Sequence, residues 1–214
     1  MKSIYSSKNY TGISYFLALA GRLALVLLLL LLSRFAFYFY NKYLFPGTGW
    51  EDLPLIFRGG LRFDLAALFY LNGAYLILAL LPFPFVFSRI WQIVLKMFFV
   101  AVNAAGFFFQ LFDFIYFRTT LRRIDFSFFR EFKNEINLGG IFLQGLKQYI
   151  VFFLVWIALI VLLWLCYGRS RYDQRPTLTF RFFSLRLLVL GIAMCISVVA
   201  IRGGTDRTTR PITL

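Results

Sequence analysis

Leu23-Ala-Leu-Val-Leu-Leu-Leu-Leu-Leu-Leu32 lies between Arg22 and Arg34, and Phe35 to Tyr40 extends the apolar material beyond Arg34. A run this long and this free of charge reads as a membrane-spanning helix, because about 20 apolar residues cover the hydrocarbon core. The two arginines sit near its ends, where long side chains can snorkel toward the interfaces. The aromatic end, Phe35 to Tyr40, suits a headgroup layer. Lys2 and Lys8 precede this stretch as they would in a signal peptide. The apolar region continues past Leu32 without a small-residue cleavage pattern, which favours an uncleaved first span.

The rest of the chain repeats this pattern. Of its 214 residues, 61% are hydrophobic and 21% aromatic, against roughly 45–50% apolar in a soluble domain. Further spans are predicted over about 61–85, 90–112, 141–167 and 182–201, after a first at about 13–40. Pro82 and Pro84 end the second span and only Ser88-Arg89 precedes the third, so those two form an antiparallel hairpin. Ala101, Ala104, Ala105 and Gly106 on the third permit close helix approach, and Asn103 among them is an interhelical hydrogen-bonding candidate. The stretch Asn41 to Gly60 reads as a polar loop. Residues 113–138 mix basic and acidic residues with Phe126, Phe129, Phe132 and Ile136 at helical spacing, which predicts interfacial amphipathic helices stopped by Gly139-Gly140. The predicted fold class is therefore an all-α integral membrane bundle of about five transmembrane helices with an interfacial amphipathic helix. Residues 1–201 form the membrane domain, and 202–214 read as the start of a linker.

The formal charge is +14, from 23 Lys and Arg against 9 Asp and Glu. Such a balance suits either nucleic acid or anionic lipid. The basic residues lie at the edges of apolar blocks, within reach of headgroup phosphates, so membrane phospholipids are the expected partners and nucleic acid is not. The linker before the fifth span holds Arg169, Arg171, Arg175 and Arg181 against Asp173 alone, a cytoplasmic loop under the positive-inside rule. Five spans then place the N-terminus in the cytoplasm and the C-terminus outside. A full count of basic residues is nearly balanced between the two sides, so this orientation rests mainly on that linker.

The inventory excludes several chemistries. The chain has no histidine and two cysteines, Cys166 and Cys195, which removes a His-based triad, a His-ligated metal and a Cys₄ zinc site. On antiparallel neighbouring helices the two sulfurs would differ in depth by roughly 20 Å, too far for a disulfide. Neither a phosphate-cradling Gly-rich loop nor a dinucleotide-binding turn is present. No cofactor is expected in this chain.

Three segments gather polar groups near span ends. Arg62 and Asp64, beside Gly59-Gly60, point to different sides of a helix and so pair with other elements. Arg62 is a candidate to hold a lipid phosphate; the alternative is a helix-end anchor with an intrabundle salt bridge. Asp113, Tyr116, Arg118, Arg122, Arg123 and Asp125 cluster around one helix end. Arg118 and Arg122, four apart, would share a face as a phosphate clamp requires; a solvated interfacial face is the other reading. Arg202 opens a basic, Gly-containing tail that by itself reads as a flexible linker.

Gly59-Gly-Leu-Arg-Phe-Asp-Leu65, Phe112-Asp-Phe-Ile-Tyr-Phe-Arg118 and Ile201-Arg-Gly-Gly-Thr-Asp-Arg-Thr-Thr-Arg-Pro211, taken with a five-span layout, resemble the N-terminal membrane domain of the lipoteichoic acid synthase-like family of phosphoglycerol transferases and sulfatase-like hydrolases. None of these is a catalytic signature. The resemblance implies an extracytoplasmic catalytic domain after Leu214, with a Thr nucleophile and a divalent metal such as Mn or Mg. It implies that the membrane domain anchors that domain and presents lipid headgroups to it, at the outer face of a bacterial inner membrane. It also implies a headgroup cluster of Arg62, Asp64, Asp113, Tyr116, Arg118, Arg122, Arg123 and Arg202, with no catalytic residue in the chain itself. A phosphoethanolamine transferase is a related possibility. A small transporter or channel, and a non-catalytic scaffold, are the rival functions.

Overall fold

The computed structural model describes residues 13–47, 49, 51–124, 148–168 and 180–202. The described residues are helical, without strands: α1 is Ile13–Tyr40, α2 Leu53–Leu80, α3 Arg89–Thr120, α4 Ile150–Cys166 and α5 Phe180–Arg202. Short 3₁₀ turns follow α1 at Lys42–Leu44 and precede α3 at Pro84–Phe87. Helices α1, α2, α3 and α5 are each long and apolar enough to cross a membrane. The described part of α4 has 17 residues, about 26 Å at the helical rise. Both cysteines are free and exposed.

Three boundaries differ from those predicted. Helix α2 begins at Leu53, not near residue 61, so much of the expected polar loop is helix. Pro54 suits a first helical turn, where a missing N–H is no loss. Gly59 and Gly60 lie within the helix rather than marking a turn. At the other end α2 stops at Leu80, because Leu81 precedes Pro82 and adopts extended geometry, with ψ 133°. Helix α3 runs to Thr120 instead of ending near Phe112, so the first part of the expected interfacial segment continues the third span. Its remainder, from Asp125 to residue 138, lies outside the described residues.

The α2–α3 hairpin is the centre of the bundle. Helix α1 packs against both its members, α4 against α3 and α5 against α2. Tyr75, Leu76, Leu80, Leu95, Phe99 and Phe107 belong to the main buried cluster, with Val26 from α1 and Leu163 from α4. Inside this apolar contact Asn72 and Asn103 exchange amide hydrogen bonds of 3.0 and 2.8 Å. Each amide also donates to the carbonyl four residues back in its own helix, Asn72 to Leu68 and Asn103 to Phe99. Gly106 serves the same interface, since a Cβ there would meet the Leu71 side chain at 2.6 Å. Trp156 of α4 donates its indole N–H to the Ala104 carbonyl of α3 at 2.8 Å.

The alternating chain direction gives the bundle two ends. One, the hairpin end, joins the start of α1, the α2–α3 turn, the end of α4 and the start of α5. The other, the open end, joins the end of α1, the start of α2, the end of α3, the start of α4 and the end of α5.

Asn72→Leu leaves the Asn103 amide short of partners in an apolar interface. It should lower unfolding stability in detergent by about 1 kcal/mol, the scale of interhelical hydrogen bonds in membranes. Asn72→Leu with Asn103→Leu should lose less than the sum of the single losses; strict additivity would contradict the reciprocal pairing.

Candidate functional site

Arg34 and Asp64 form the tightest charged contact among the described residues. Arg34 Nε donates to Asp64 Oδ2 at 3.0 Å and Nη2 to Oδ1 at 2.6 Å. Nη2 also donates to the Gly60 carbonyl at 3.1 Å. Gly60 and Asp64 stand one turn apart on the same face of α2, and a Cβ at Gly60 would collide with the Arg34 guanidinium. The Gly-x-x-x-Asp spacing thus makes a socket for an arginine from α1. Two-point carboxylate contact is the strong form of this interaction. Asp64 therefore neutralises Arg34 inside the bundle, and Arg34 is held there instead of snorkelling outward.

A second assembly closes the open end between α1 and α3. After α1 the chain turns back onto α3: Phe45 stacks on Phe117 at 5.9 Å, and Phe37 meets Phe114 and Phe117 edge-on. This brings Tyr43 to Arg118, whose Nε donates to the Tyr43 hydroxyl at 2.9 Å. The guanidinium also faces the rings of Tyr40 and Tyr43, at 5.2 and 4.9 Å. Arg118 is exposed despite these contacts. Tyr116 lies half-buried on α3 near by.

Helix α3 ends at Leu121, which takes the left-handed conformation at φ 56°. That reversal removes Arg122 from the helical face of Arg118, so the expected i, i+4 clamp does not form. Asp113 holds the reversed segment in place: its Oδ1 accepts the Ile124 backbone N–H at 2.9 Å and its Oδ2 lies 3.6 Å from Arg123 Nε. Arg123 in turn covers the Phe37 ring at 5.0 Å. Asp113 is nearly buried, whereas Arg122 and Arg123 are exposed.

Arg62 points elsewhere. It lines an apolar groove between α2 and α5 with Leu65, Phe69, Cys195, Ile196 and Val199. Arg202 ends α5 at the same end of the bundle and is exposed. The eight predicted residues thus share the open end but divide into an internal ion pair, an α1–α3 assembly and an α2–α5 groove. Asp64 and Asp113 act as internal anchors for basic or backbone groups. Arg62, Arg118, Arg122, Arg123 and Arg202 are the exposed cations.

The hairpin end carries cations whose protein partners the reading of span ends missed, and Arg22, expected to snorkel, is held by two of them. Arg22 donates to the Tyr167 carbonyl at 3.1 Å and the Tyr75 hydroxyl at 3.0 Å, with its guanidinium 3.6 Å from the Tyr167 ring centre. Lys96 lies 3.9 Å from the ring centre of Trp164. Arg186, 1% exposed, donates from Nη1 to the Leu81 carbonyl at 2.7 Å and sits among the rings of Tyr15, Phe87 and Phe182. Its Nε and Nη2 have no hydrogen-bond partner among the described residues. An arginine inside a predicted span was the available signal, because such residues are rare unless they face the bundle interior.

No family model, curated protein or solved structure matches this chain.

Arg34→Met strands the buried Asp64 carboxylate and should cost about 3–5 kcal/mol, read as a lower unfolding midpoint in detergent. Arg34→Met with Asp64→Leu should recover most of that loss. Equal damage in the single and double variants would refute the socket.

Proposed function

We propose that this chain is a membrane anchor and lipid-headgroup-presenting domain of a sulfatase-like phosphoglycerol or phosphoethanolamine transferase, acting at the outer face of a bacterial inner membrane. The observation that carries the reading is the exposed arginine group at the open end, Arg118, Arg122 and Arg123, mounted on a rigid aromatic base. Arginine suits phosphate because its planar fork offers paired donors, and aromatic contacts restrict its freedom before a ligand arrives. Tyr40 and Tyr43 position Arg118, while Asp113 holds the reversed segment that carries Arg122 and Arg123. The arrangement suits binding and orientation of a phosphodiester. The catalytic domain and its divalent metal belong to the resemblance.

The orientation in this proposal rests on the linker between α4 and α5. All described carboxylates, Glu51, Asp52, Asp64 and Asp113, belong to the open end. Hairpin-end charges among the described residues are Arg22, Arg89, Lys96 and Arg186, all basic. The adjoining linker adds Arg169, Arg171 and Arg175 with Asp173 as its lone acid, and Arg181 stands in the first turn of α5. Under the positive-inside rule it is this short, nearly acid-free linker that favours a cytoplasmic hairpin end, since the described Lys and Arg are no fewer at the open end. The open end, where α5 finishes, then faces outward, as presentation to an extracytoplasmic catalytic domain requires.

Native mass spectrometry of the purified chain should show retained anionic phospholipid, and Arg118→Ala with Arg123→Ala should reduce that retention several-fold with unchanged helical content. In a full-length enzyme, Arg118→Ala with Arg122→Ala should slow headgroup transfer without preventing membrane insertion. Unchanged lipid retention and unchanged transfer would remove this end from the mechanism.

A further inference from the structure

The groove between α2 and α5 has the chemistry of a single phospholipid. It has a volume of about 460 Å³, and every lining residue is apolar or a thiol except Arg62. On α2, Arg58, Arg62, Leu65 and Phe69 are spaced by four, three and four, which puts them on one helical face. On α5, Cys195, Val199 and Arg202 follow the same rule. The two helices run in opposite directions, so the basic end of each stripe falls at the open end and the apolar parts adjoin below it.

Arg58, Arg62 and Arg202 are exposed, and none makes a hydrogen bond, ion pair or ring contact with the described residues. This separates them from Arg22, Arg34, Arg118 and Arg186, whose guanidiniums have protein partners. A cation at the hydrocarbon boundary without a protein counter-group requires one from its surroundings, and a phosphodiester fits arginine's paired donors. The apolar floor below takes a hydrocarbon chain.

We infer that the α2–α5 groove is a specific site for one anionic phospholipid, with its phosphate on Arg62 and an acyl chain along Leu65, Phe69, Cys195 and Val199. It rests on the lipid-headgroup reading only for the class of ligand; its residues are separate from the α1–α3 assembly. Arg58 and Arg202 flank the phosphate and favour a net negative headgroup over a zwitterionic one.

The two native cysteines supply the test, because Cys195 lines the groove and Cys166 is exposed on α4 away from it. In detergent micelles, alkylation of each thiol by N-ethylmaleimide is followed by peptide mass spectrometry, with and without phosphatidylglycerol. Phosphatidylglycerol should slow Cys195 several-fold while Cys166 changes little. Phosphatidylcholine should protect less, and glycerol phosphate, which lacks a chain, should not protect at all. Arg62→Gln should abolish the advantage of phosphatidylglycerol over phosphatidylcholine, and Arg62→Lys should retain part of it.

Equal rates at Cys195 with and without phosphatidylglycerol would overturn the site. So would equal protection by the two lipids in the natural sequence, which marks unselective annular lipid. Protection at Cys195 combined with unaltered lipid retention in the Arg118 and Arg123 variant would sustain the groove and defeat the proposed role of the α1–α3 assembly. The reverse combination would do the opposite.

Discussion

A guanidinium placed within hydrocarbon must find compensation, and Arg34 is the position where this constraint shapes the bundle most. Its donors fit the Asp64 carboxylate and the Gly60 carbonyl together. That fit fixes α1 against α2 in rotation and depth at once. With this register set, Phe37 and Tyr40 at the end of α1 reach the end of α3. The turn after α1 then carries Tyr43 to Arg118. The placement of the exposed arginines at the open end thus depends on a pair deeper in the bundle.

The other internal cations show different solutions to the same constraint. Arg22 uses a carbonyl, a hydroxyl and an aromatic face, while Arg186 uses one carbonyl and a cage of rings. Ring faces attract guanidinium but leave N–H donors unsatisfied, which is the condition of Arg186. Carboxylate partners occur at the open end, where Asp64 and Asp113 each serve an arginine. The remaining arginines there face outward, and it is the imbalance between fixed and unfixed cations that gives the two ends distinct chemical character.

Hydropathy made the helical class legible, because runs such as Leu23 to Leu32 have no stable alternative in a membrane. Asn103 and Gly106 also announced a packed interface, through a polar amide and a small residue within an apolar run. The start of α2 was hidden because Pro54, Gly59 and Gly60 are turn residues by composition; in the bundle one fits a first turn and another makes room for Arg34. The partner of Asp64 was equally hidden, since nothing local links residue 34 to residue 64. The split between Arg118 and Arg122 depends on Leu121 at positive φ, a conformation that a leucine does not advertise. Residue types at span ends revealed the basic character of the site, whereas long-range packing decided which cations remained exposed.

The central claim is that exposed open-end arginines meet lipid phosphate while Arg34 is satisfied by protein. Solid-state NMR of the chain in phosphatidylglycerol bilayers, with ¹³C at the arginine Cζ, measures this directly through dephasing by lipid ³¹P. The account predicts strong dephasing at Arg62 and Arg118 and none at Arg34. Dephasing at Arg34, or its absence at both exposed arginines, would contradict it.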